Sequence, residues 1–280
     1  GELLAVANWP TFNPNQPGES ALEAHMNRAV AATYEPGSTF KIVTVAAALE
    51  EGITRPDEIV DCQMGAIYIN GHRIRDHKPF GLLTVSQILA KSSDVGAIKL
   101  GLRLGAPKFY DYIRAFGFGQ STGIELPGET RGLLREPKEW SGVSQATLSF
   151  GQEINVTPLQ LITAINALAN GGLLVRPQII REVWRAEGLE TRRPEVVRRV
   201  ISEATARTLT DMMVSVVEAS PSRPAVIPGY RVAGKTGTAE LPTPEGYSSV
   251  ETTATFVGFV PADDPAFVML VKVERPKDSP

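Results

Sequence analysis

The sequence predicts an α/β (α+β) protein in which strands from both ends of the chain form one sheet and helices are inserted between them. Two observations lead to this prediction. Runs of apolar and β-branched residues, which favour strands, lie near the two ends of the chain, whereas helix-like segments with glycine stops fill the middle. Because the first strand is so far in sequence from the others, a sheet that joins both ends leaves the helical region as an insertion.

The predicted strands comprise one segment at the amino end and three near the carboxyl end. Residues 3–7 form a short apolar run, and residues 230–233, 253–260 and 266–273 are rich in β-branched and aromatic side chains. A short stretch with two prolines separates the last two segments, which predicts a hairpin. The charged run 192–199 contains both signs and a proline, so a solvated turn is predicted there.

The predicted helices carry apolar residues at helical spacing, and most end at or near a glycine, which tolerates the left-handed conformation common after a last helical turn. The charge-free stretch 154–175 includes asparagines, a proline and a glycine pair, so it is predicted to contain a core helix rather than a membrane span. Met212 and Met213 lie on the apolar face of the last helix and are predicted to pack in the core. The predicted helices are residues 38–51 before Gly52, 87–104 before Gly105, 158–168 near Gly171, and 202–219.

Composition excludes several classes of function. The chain has 280 residues, with 28 Lys and Arg against 31 Asp and Glu, and the net charge of -3 argues against nucleic acid as the main partner. Cys62 is the only cysteine, so no internal disulfide can form and zinc sites of the Cys/His type lack ligands. The histidines, His25, His72 and His77, have no HExxH spacing and are predicted to be ordinary polar residues. We therefore expect no metal and no cofactor.

A serine and a lysine three residues apart form the first chemical motif. Ser38 and Lys41 lie in the segment Glu35-Pro36-Gly37-Ser38-Thr39-Phe40-Lys41, where proline and glycine lead the chain into a helix. Residues i and i+3 share a helical face, so the Lys41 amine can reach the Ser38 hydroxyl. Free N–H groups at the start of the helix favour negative charge where an oxyanion would form. A serine and a lysine at this spacing also occur by chance in a chain of this length. The Pro-Gly-Ser sequence that leads into the helix strengthens the prediction of a catalytic motif.

Two further motifs follow along the chain. Lys235-Thr236-Gly237-Thr238 comes after an apolar segment, and its lysine, hydroxyls and glycine suit a peptide-like ligand with a carboxylate that lies alongside as an added strand. The alternative is a strand that simply ends in a turn. Lys91-Ser92-Ser93-Asp94 interrupts a helical segment and by itself is typical of a cap or turn. Together, SxxK, Ser-x-Asp and KTGT form the combination typical of penicillin-binding proteins and class A β-lactamases.

The sequence resembles the transpeptidase domain of class B penicillin-binding proteins, the division and sporulation type. The resemblance covers nearly the whole chain and extends beyond the three motifs. It is also carried by residues 27–30 (Asn-Arg-Ala-Val), Tyr34 before the SxxK segment, residues 122–129 (Thr-Gly-Ile-Glu-Leu-Pro-Gly-Glu), residues 156–160 (Val-Thr-Pro-Leu-Gln) and residues 233–239 (Ala-Gly-Lys-Thr-Gly-Thr-Ala).

The resemblance implies a β-lactamase/transpeptidase-like fold, with an antiparallel five-stranded sheet flanked by helices and an inserted all-helical lobe. Residues 1–280 would form one domain, with the sheet from residues 1–10 and about 175–280 and the lobe from about 50–170. A membrane anchor and a pedestal would precede this chain, which would start within the first strand and stop before a final helix.

The same resemblance implies a cell-wall D,D-transpeptidase that crosslinks peptidoglycan stem peptides, is acylated by β-lactam antibiotics and needs no cofactor. Its location would be the extracytoplasmic face of the bacterial cell membrane. In the full-length protein, a membrane glycosyltransferase and divisome proteins would be partners, and nucleic acid would not.

By this resemblance, Ser38 is the nucleophile that attacks the carbonyl of the penultimate D-Ala and forms an acyl-enzyme, which an amine of a second stem peptide resolves. Lys41 would take the serine proton, and burial together with the charge of Lys235 would favour the neutral amine that this step needs. Ser92 would relay a proton to the leaving amine. These four residues are the predicted catalytic set.

The resemblance assigns substrate binding to five residues of the other two motifs: Ser93, Asp94, Thr236, Gly237 and Thr238. Of these, Thr236 and Thr238 would bind the substrate carboxylate. The backbone N–H groups of the nucleophilic serine and of Thr238 would form the oxyanion hole.

Two residues depart from the family pattern. Asp94 stands where the family usually has Asn, and a carboxylate only accepts hydrogen bonds and would favour a charged Lys41. We expect Asp94 to change the charge balance between Lys41 and Lys235 rather than to abolish activity. Glu153 stands where relatives commonly have Gly; it is predicted to be a surface residue, and the alternative is a base that activates water against the acyl-serine.

Two rival functions share the fold and the three motifs. A serine β-lactamase needs fast deacylation, for which the sequence offers no convincing base, and a β-lactam sensor domain would be acylated without turning over wall peptides. The segments outside the motifs favour the transpeptidase over both. The sequence leaves open the crosslink chemistry and the choice between division, elongation and sporulation.

Overall fold

Eight α-helices and eleven strands make up the described part of the chain. The computed structural model describes residues 1–220, 224–243 and 246–277. The helices are α1 (Arg28–Ala31), α2 (Lys41–Glu50), α3 (Val85–Lys91), α4 (Asp94–Leu104), α5 (Ala106–Ala115), α6 (Ser144–Leu148), α7 (Pro158–Ala169) and α8 (Glu203–Glu218). The strands are β1 (Ile59–Asp61), β2 (Ala66–Ile69), β3 (His72–Arg75), β4 (Leu82–Thr84), β5 (Leu173–Val175), β6 (Glu182–Arg185), β7 (Gly188–Thr191), β8 (Val196–Arg199), β9 (Ala233–Thr243), β10 (Gly246–Val260) and β11 (Phe267–Glu274). Short 3-10 helices lie at Pro17–Glu19, Leu22–His25, Gly37–Phe40, Gln63–Gly65 and Pro137–Glu139.

Strands β9, β10 and β11 form the main sheet, which is antiparallel and has the order β11-β10-β9. Val257 of β10 lies opposite Lys235 of β9 on one side and opposite Leu270 of β11 on the other. The hairpin predicted from the carboxyl-terminal segments is therefore confirmed. Strand β9 begins at Ala233, so most of the predicted strand 230–233 precedes the sheet.

The amino-terminal strand and the number of strands in the main sheet differ from the prediction. Residues 3–7 are not a strand, because the start of the chain forms only an isolated parallel bridge between Glu2 and Gln178. Leu4 is 73% exposed, so this apolar run buries too little surface to hold a strand in place. Within the described ranges, three strands rather than five are hydrogen-bonded in the main sheet.

The region predicted as an all-helical lobe also contains four short strands. Strand β1 pairs with β4, and β2 pairs with β3 in a hairpin across Asn70 and Gly71, which both have positive φ. Asn-Gly is a favoured sequence for such a two-residue turn. The predicted solvated turn at 192–199 likewise contains β8, which pairs with β5. Strands of three or four residues show too little alternation for a sequence pattern to reveal them.

The predicted helices are present, with one break that matters for the site. Helices α2, α7 and α8 form where their apolar spacing predicts them. The segment 87–104 forms two helices, α3 and α4, instead of one. The break arises because Ser92 adopts a left-handed conformation with φ of 58° and Ser93 caps α4, its Oγ accepting from the Gly96 N–H at 3.0 Å.

Helix α2 runs through the centre of the core. All but the last two of its residues are buried, and the ring of Phe40, just before it, packs on Phe118 with centroids 5.3 Å apart. Met212 and Met213 of α8 are buried, which confirms their predicted place in the core. Helix α2 is thus a fixed base for the residues at its amino-terminal end. None of the helices in the described ranges combines the length and apolar character needed to cross a membrane.

Candidate active site

The predicted nucleophile lies in the 3-10 helix Gly37–Phe40 that leads into α2. Gly37 has a φ of 53°, and a Cβ built on it would lie 2.8 Å from the carbonyl oxygen of Thr238, so only glycine fits this turn against β9. The Lys41 side chain is fully buried, and its Nζ donates to Ser38 Oγ at 2.9 Å. The i, i+3 spacing therefore places the amine on the hydroxyl, as predicted.

Ser92 joins this pair to a second lysine. Lys41 Nζ donates to the backbone oxygen of Ser92 at 2.6 Å and to its Oγ at 3.1 Å. Lys235 Nζ, which comes from β9, donates to the same Oγ at 3.1 Å and to the Thr236 carbonyl oxygen at 2.9 Å. The left-handed conformation of Ser92 presents its hydroxyl and carbonyl at the break between α3 and α4. The four predicted catalytic side chains thus form one continuous hydrogen-bonded array.

Two lysines around one hydroxyl create strong electrostatic repulsion. Lys235 is 2% exposed, and burial together with the nearby charge of Lys41 lowers its pKa to about 7, while the charge of Asp94 acts in the opposite direction. Lys41 Nζ lies 2.6 Å from Asp94 Oδ1. Lys235 therefore gives up its proton near neutral pH, and the array then contains one amine that can accept a proton.

Asp76 holds a turn of the site in place, and the sequence reasoning missed it. Its Oδ2 accepts a hydrogen bond from Ser93 Oγ at 2.7 Å, and its Oδ1 accepts from the backbone N–H groups of Asp94 at 2.5 Å and Val95 at 3.0 Å. These bonds satisfy the first N–H groups of α4 and hold the Ser92–Asp94 turn in place. Capping signals are local in sequence, so a cap from a distant segment leaves no recognisable pattern.

Ser93 and Gly237, two of the residues predicted to bind substrate, are buried beside the site. The Ser93 side chain is fully buried, donates to Asp76 and accepts from the Gly96 N–H, so it holds the turn rather than facing a ligand. Gly237 is also buried, and a Cβ there would lie 2.8 Å from Thr39 Cγ2 and 2.9 Å from the Pro36 oxygen. This glycine lets β9 approach the nucleophile's turn.

The other KTGT side chains are accessible. Thr236 and Thr238 are exposed and lie opposite Phe256 and Ala254 of β10. In the described ranges β10 is the only strand paired with β9, so the other edge of β9 is open beside the nucleophile. An open edge with two hydroxyls and a nearby ammonium group suits an extended ligand with a carboxylate.

Glu153 and Glu35 form a second polar group near the nucleophile's turn. Glu35 Oε1 accepts from the Glu153 N–H at 2.9 Å and from the Tyr247 hydroxyl at 3.0 Å, and burial raises the pKa of Glu35. The Glu153 carboxylate accepts from Ser144 Oγ and Thr147 Oγ1, each at 2.7 Å, and pairs with an arginine. It is thus held by structural partners, which gives no support to the water-activating alternative. Its φ of 59° explains why glycine suits this position.

Comparisons with known proteins identify the family of this chain. The family described as the penicillin binding protein transpeptidase domain matches residues 1–280. The chain is 40% identical to penicillin-binding protein PbpB of Mycolicibacterium smegmatis and 40% identical to stage V sporulation protein D of Bacillus subtilis, in each case over 99% of this chain and about 45% of the relative. It therefore spans less than half the length of these relatives.

Solved structures show the same fold. Penicillin-binding protein 3 from Mycobacterium tuberculosis, solved in complex with aztreonam, superposes with a TM-score of 0.87 at 35% identity, covering 95% of this chain and 61% of that one. The transpeptidase domain of penicillin-binding protein 3 from Burkholderia pseudomallei gives 0.82 at 35% identity, covering 90% and 74%. The predicted fold class is confirmed, and the chain belongs to the penicillin-binding protein transpeptidase domain family.

Proposed function

We propose that this chain is the catalytic domain of a peptidoglycan D,D-transpeptidase that crosslinks stem peptides and is acylated by β-lactams. The hydrogen-bonded array of Ser38, Lys41, Ser92 and Lys235 carries the proposal, because it joins a nucleophile to a base and a proton relay. Relatives that are 36% identical over 99% of the chain, from Escherichia coli and Neisseria gonorrhoeae, are named as a peptidoglycan D,D-transpeptidase and a probable one.

The first half of the reaction forms an acyl-enzyme. Ser38 Oγ attacks the carbonyl carbon of the penultimate D-Ala while Lys41 Nζ takes the hydroxyl proton. The bond to the terminal D-Ala nitrogen breaks, and Ser92 Oγ, which bridges both lysines, passes a proton to that nitrogen. Terminal D-Ala leaves and the donor stem stays as an ester on Ser38.

The second half transfers the donor to another stem. An amine of the second stem attacks the ester carbonyl, the array takes a proton from that amine and gives it to the serine oxygen, and the bond to Ser38 breaks. The Thr236 and Thr238 hydroxyls hold the substrate carboxylate along the open edge of β9. The N–H groups of Ser38 and Thr238 stabilise the oxyanion in both halves. The Glu153 carboxylate is held by Ser144, Thr147 and an arginine, so we do not assign it as a base for hydrolysis. This supports transfer to an amine over hydrolysis of the acyl-enzyme.

The proposal includes the setting of the domain. Residues 1–280 form one transpeptidase unit, with a membrane anchor and pedestal in the full-length protein, and work on the extracytoplasmic face of the bacterial membrane. A membrane glycosyltransferase and divisome proteins are the proposed partners. The names of the relatives, which include a sporulation protein and the Escherichia coli protein FtsI, support a role in cell-wall synthesis.

Intact mass spectrometry after addition of a penicillin tests the proposal. We expect a long-lived adduct that is lost in Ser38→Ala, with circular dichroism showing that the variant is folded. Release of D-Ala from a stem peptide then distinguishes a transpeptidase from a sensor. A transient adduct with accumulation of hydrolysed drug would instead indicate a β-lactamase, and a folded protein without any adduct would contradict all three functions.

A further inference from the structure

The β2–β3 hairpin has two faces of opposite character. Ile67 pairs with Ile74 across the two strands, and both side chains pack against the core. Alternate residues of a strand point to opposite faces, so the next pair, Tyr68 with Arg73, lies on the outer face, and Arg75 lies there too. Tyr68 is 67% exposed, and both arginines are exposed. The outer face therefore carries one aromatic ring and two guanidinium groups.

The two guanidinium groups on this face have no carboxylate partner. Within the described ranges neither forms an ion pair or a hydrogen bond, and Arg73 Cζ instead lies 5.8 Å from the centroid of the Tyr68 ring. Asp76 is the only acidic residue among residues 62–81, and its carboxylate already accepts hydrogen bonds at the start of α4. Unpaired cations on a surface attract a negatively charged partner.

The composition of the outer face favours a protein as that partner. Tyrosine and arginine are enriched among the residues that contribute most to the affinity of protein interfaces. Binding to a membrane surface needs large apolar side chains that enter the lipid, and this face offers only the tyrosine ring. The β6–β7 hairpin provides a contrast within the same chain, because its Arg185 pairs with Glu190.

The hairpin is a preformed surface with open edges. In the described part of the chain β2 and β3 pair only with each other, so an extended segment can add as a third strand. Asn70 Nδ2 donates to the Gly142 oxygen at 2.6 Å at the turn, and the Asp76 N–H donates to the Gly65 oxygen at 2.9 Å at the base. Both ends of the hairpin are thus held before a partner binds, which lowers the entropy cost of binding.

We infer that the outer face of the β2–β3 hairpin binds an extended acidic segment of a partner protein. Carboxylates of that segment pair with Arg73 and Arg75, and its backbone lies across the Tyr68 ring. This surface is separate from the array of Ser38, and the inference does not depend on the proposed reaction.

Selection from a display library of short random peptides, with the whole chain as target, tests the inference. Peptides that also bind the double variant Arg73→Gln/Arg75→Gln are removed. We expect the enriched peptides to be net negative, and the best synthetic peptide to bind with a Kd below about 100 μM in fluorescence anisotropy. Tyr68→Ala and each single arginine variant should weaken that binding about tenfold. Arg185→Gln, in the other hairpin, is the matched control and should leave the Kd unchanged. Circular dichroism verifies that each variant is folded.

Failure to enrich any peptide over the double variant, or enrichment of peptides without net negative charge, would overturn the inference. Two other occupants have their own readouts. Sedimentation with phosphatidylglycerol vesicles that Arg73→Gln abolishes would assign the face to a membrane surface instead, and a concentration-dependent dimer lost in the same variant would assign it to a second copy of the chain. None of these measurements uses Ser38, so a protein that penicillin fails to acylate would refute the proposed function and leave this test intact.

Discussion

Replacement of Asp94 by asparagine should move the pH profile of acylation to lower pH. With both lysines charged, Lys41, Lys235 and Asp94 carry a net charge of +1, and the Asp94→Asn variant carries +2. At the observed 2.6 Å between Lys41 Nζ and Asp94 Oδ1, Coulomb's law gives about 6 kcal/mol at an effective dielectric constant of about 20 and about 1.6 kcal/mol in water. Lys41 is fully buried and the Asp94 side chain is 25% exposed, so the pair is only partly screened and the electrostatic change lies between these two figures.

The lower figure corresponds to a move of about one pH unit in the acidic limb, which is the least we expect, since one pKa unit equals about 1.4 kcal/mol. Burial and Lys41 lower the pKa of Lys235 to about 7 against the opposing charge of Asp94, so loss of Asp94 makes Lys235 release its proton more easily. The neutral amine that deprotonates Ser38 then becomes available at lower pH, and the acidic limb of the profile shifts accordingly.

The assay is the second-order rate of penicillin acylation, followed by intact mass between pH 5 and 9. Asp57→Asn, which removes a carboxylate from an exposed pair with Arg55, is the matched control and should leave the limb in place. An Asp94→Asn profile that coincides with that of the unchanged protein would refute the charge-balance reasoning.

Three further variants test other parts of the site. Asp76→Ala removes the acceptor for Ser93 and for two N–H groups of α4. We therefore expect slower acylation and a free energy of unfolding, measured in urea, that is lower by about 1–3 kcal/mol. Unchanged stability would contradict the capping role. Gly237→Ala should also lose about 1–3 kcal/mol and slow acylation, because its Cβ would collide with Thr39 and Pro36; Gly81→Ala, which meets only Met64 Sδ at 3.4 Å, is the control. Burial raises the pKa of Glu35, so the unchanged protein loses stability as the pH rises from the ordinary pKa of Glu through the raised one. Glu35→Gln should therefore raise Tm more at pH 8 than at pH 4. An equal change in Tm at the two pH values would contradict the raised pKa.

The parts of the site that sequence reasoning predicted are those with local patterns. Ser38 and Lys41 are three residues apart on one helical turn, so their contact follows from helix geometry alone. The KTGT residues follow from strand alternation and the close approach that Gly237 allows. In both cases the periodicity of one short segment predicts which side chains lie together, and the structure adds the distances between them.

The parts that the sequence did not predict depend on contacts between distant segments. The break at Ser92 requires a left-handed serine, which the helical spacing of residues 87–104 does not indicate, and its hydroxyl gains two lysine partners from elsewhere in the fold. Asp76 caps α4 from outside that helix. The expected strand at residues 3–7 failed for the opposite reason, because an apolar run forms a strand only where a neighbour buries it.

The array of Ser38, Lys41, Ser92 and Lys235 is drawn from three stretches of chain that are far apart in sequence. It exists only in molecules where all three stretches have come together, and loop closure over such distances succeeds only with the complete fold. Under the proposed function, a fluorescent penicillin therefore labels only molecules in which this array is assembled. A short pulse of label at increasing urea concentrations would measure the fraction of molecules with an assembled site, whereas circular dichroism reports only the average helix content.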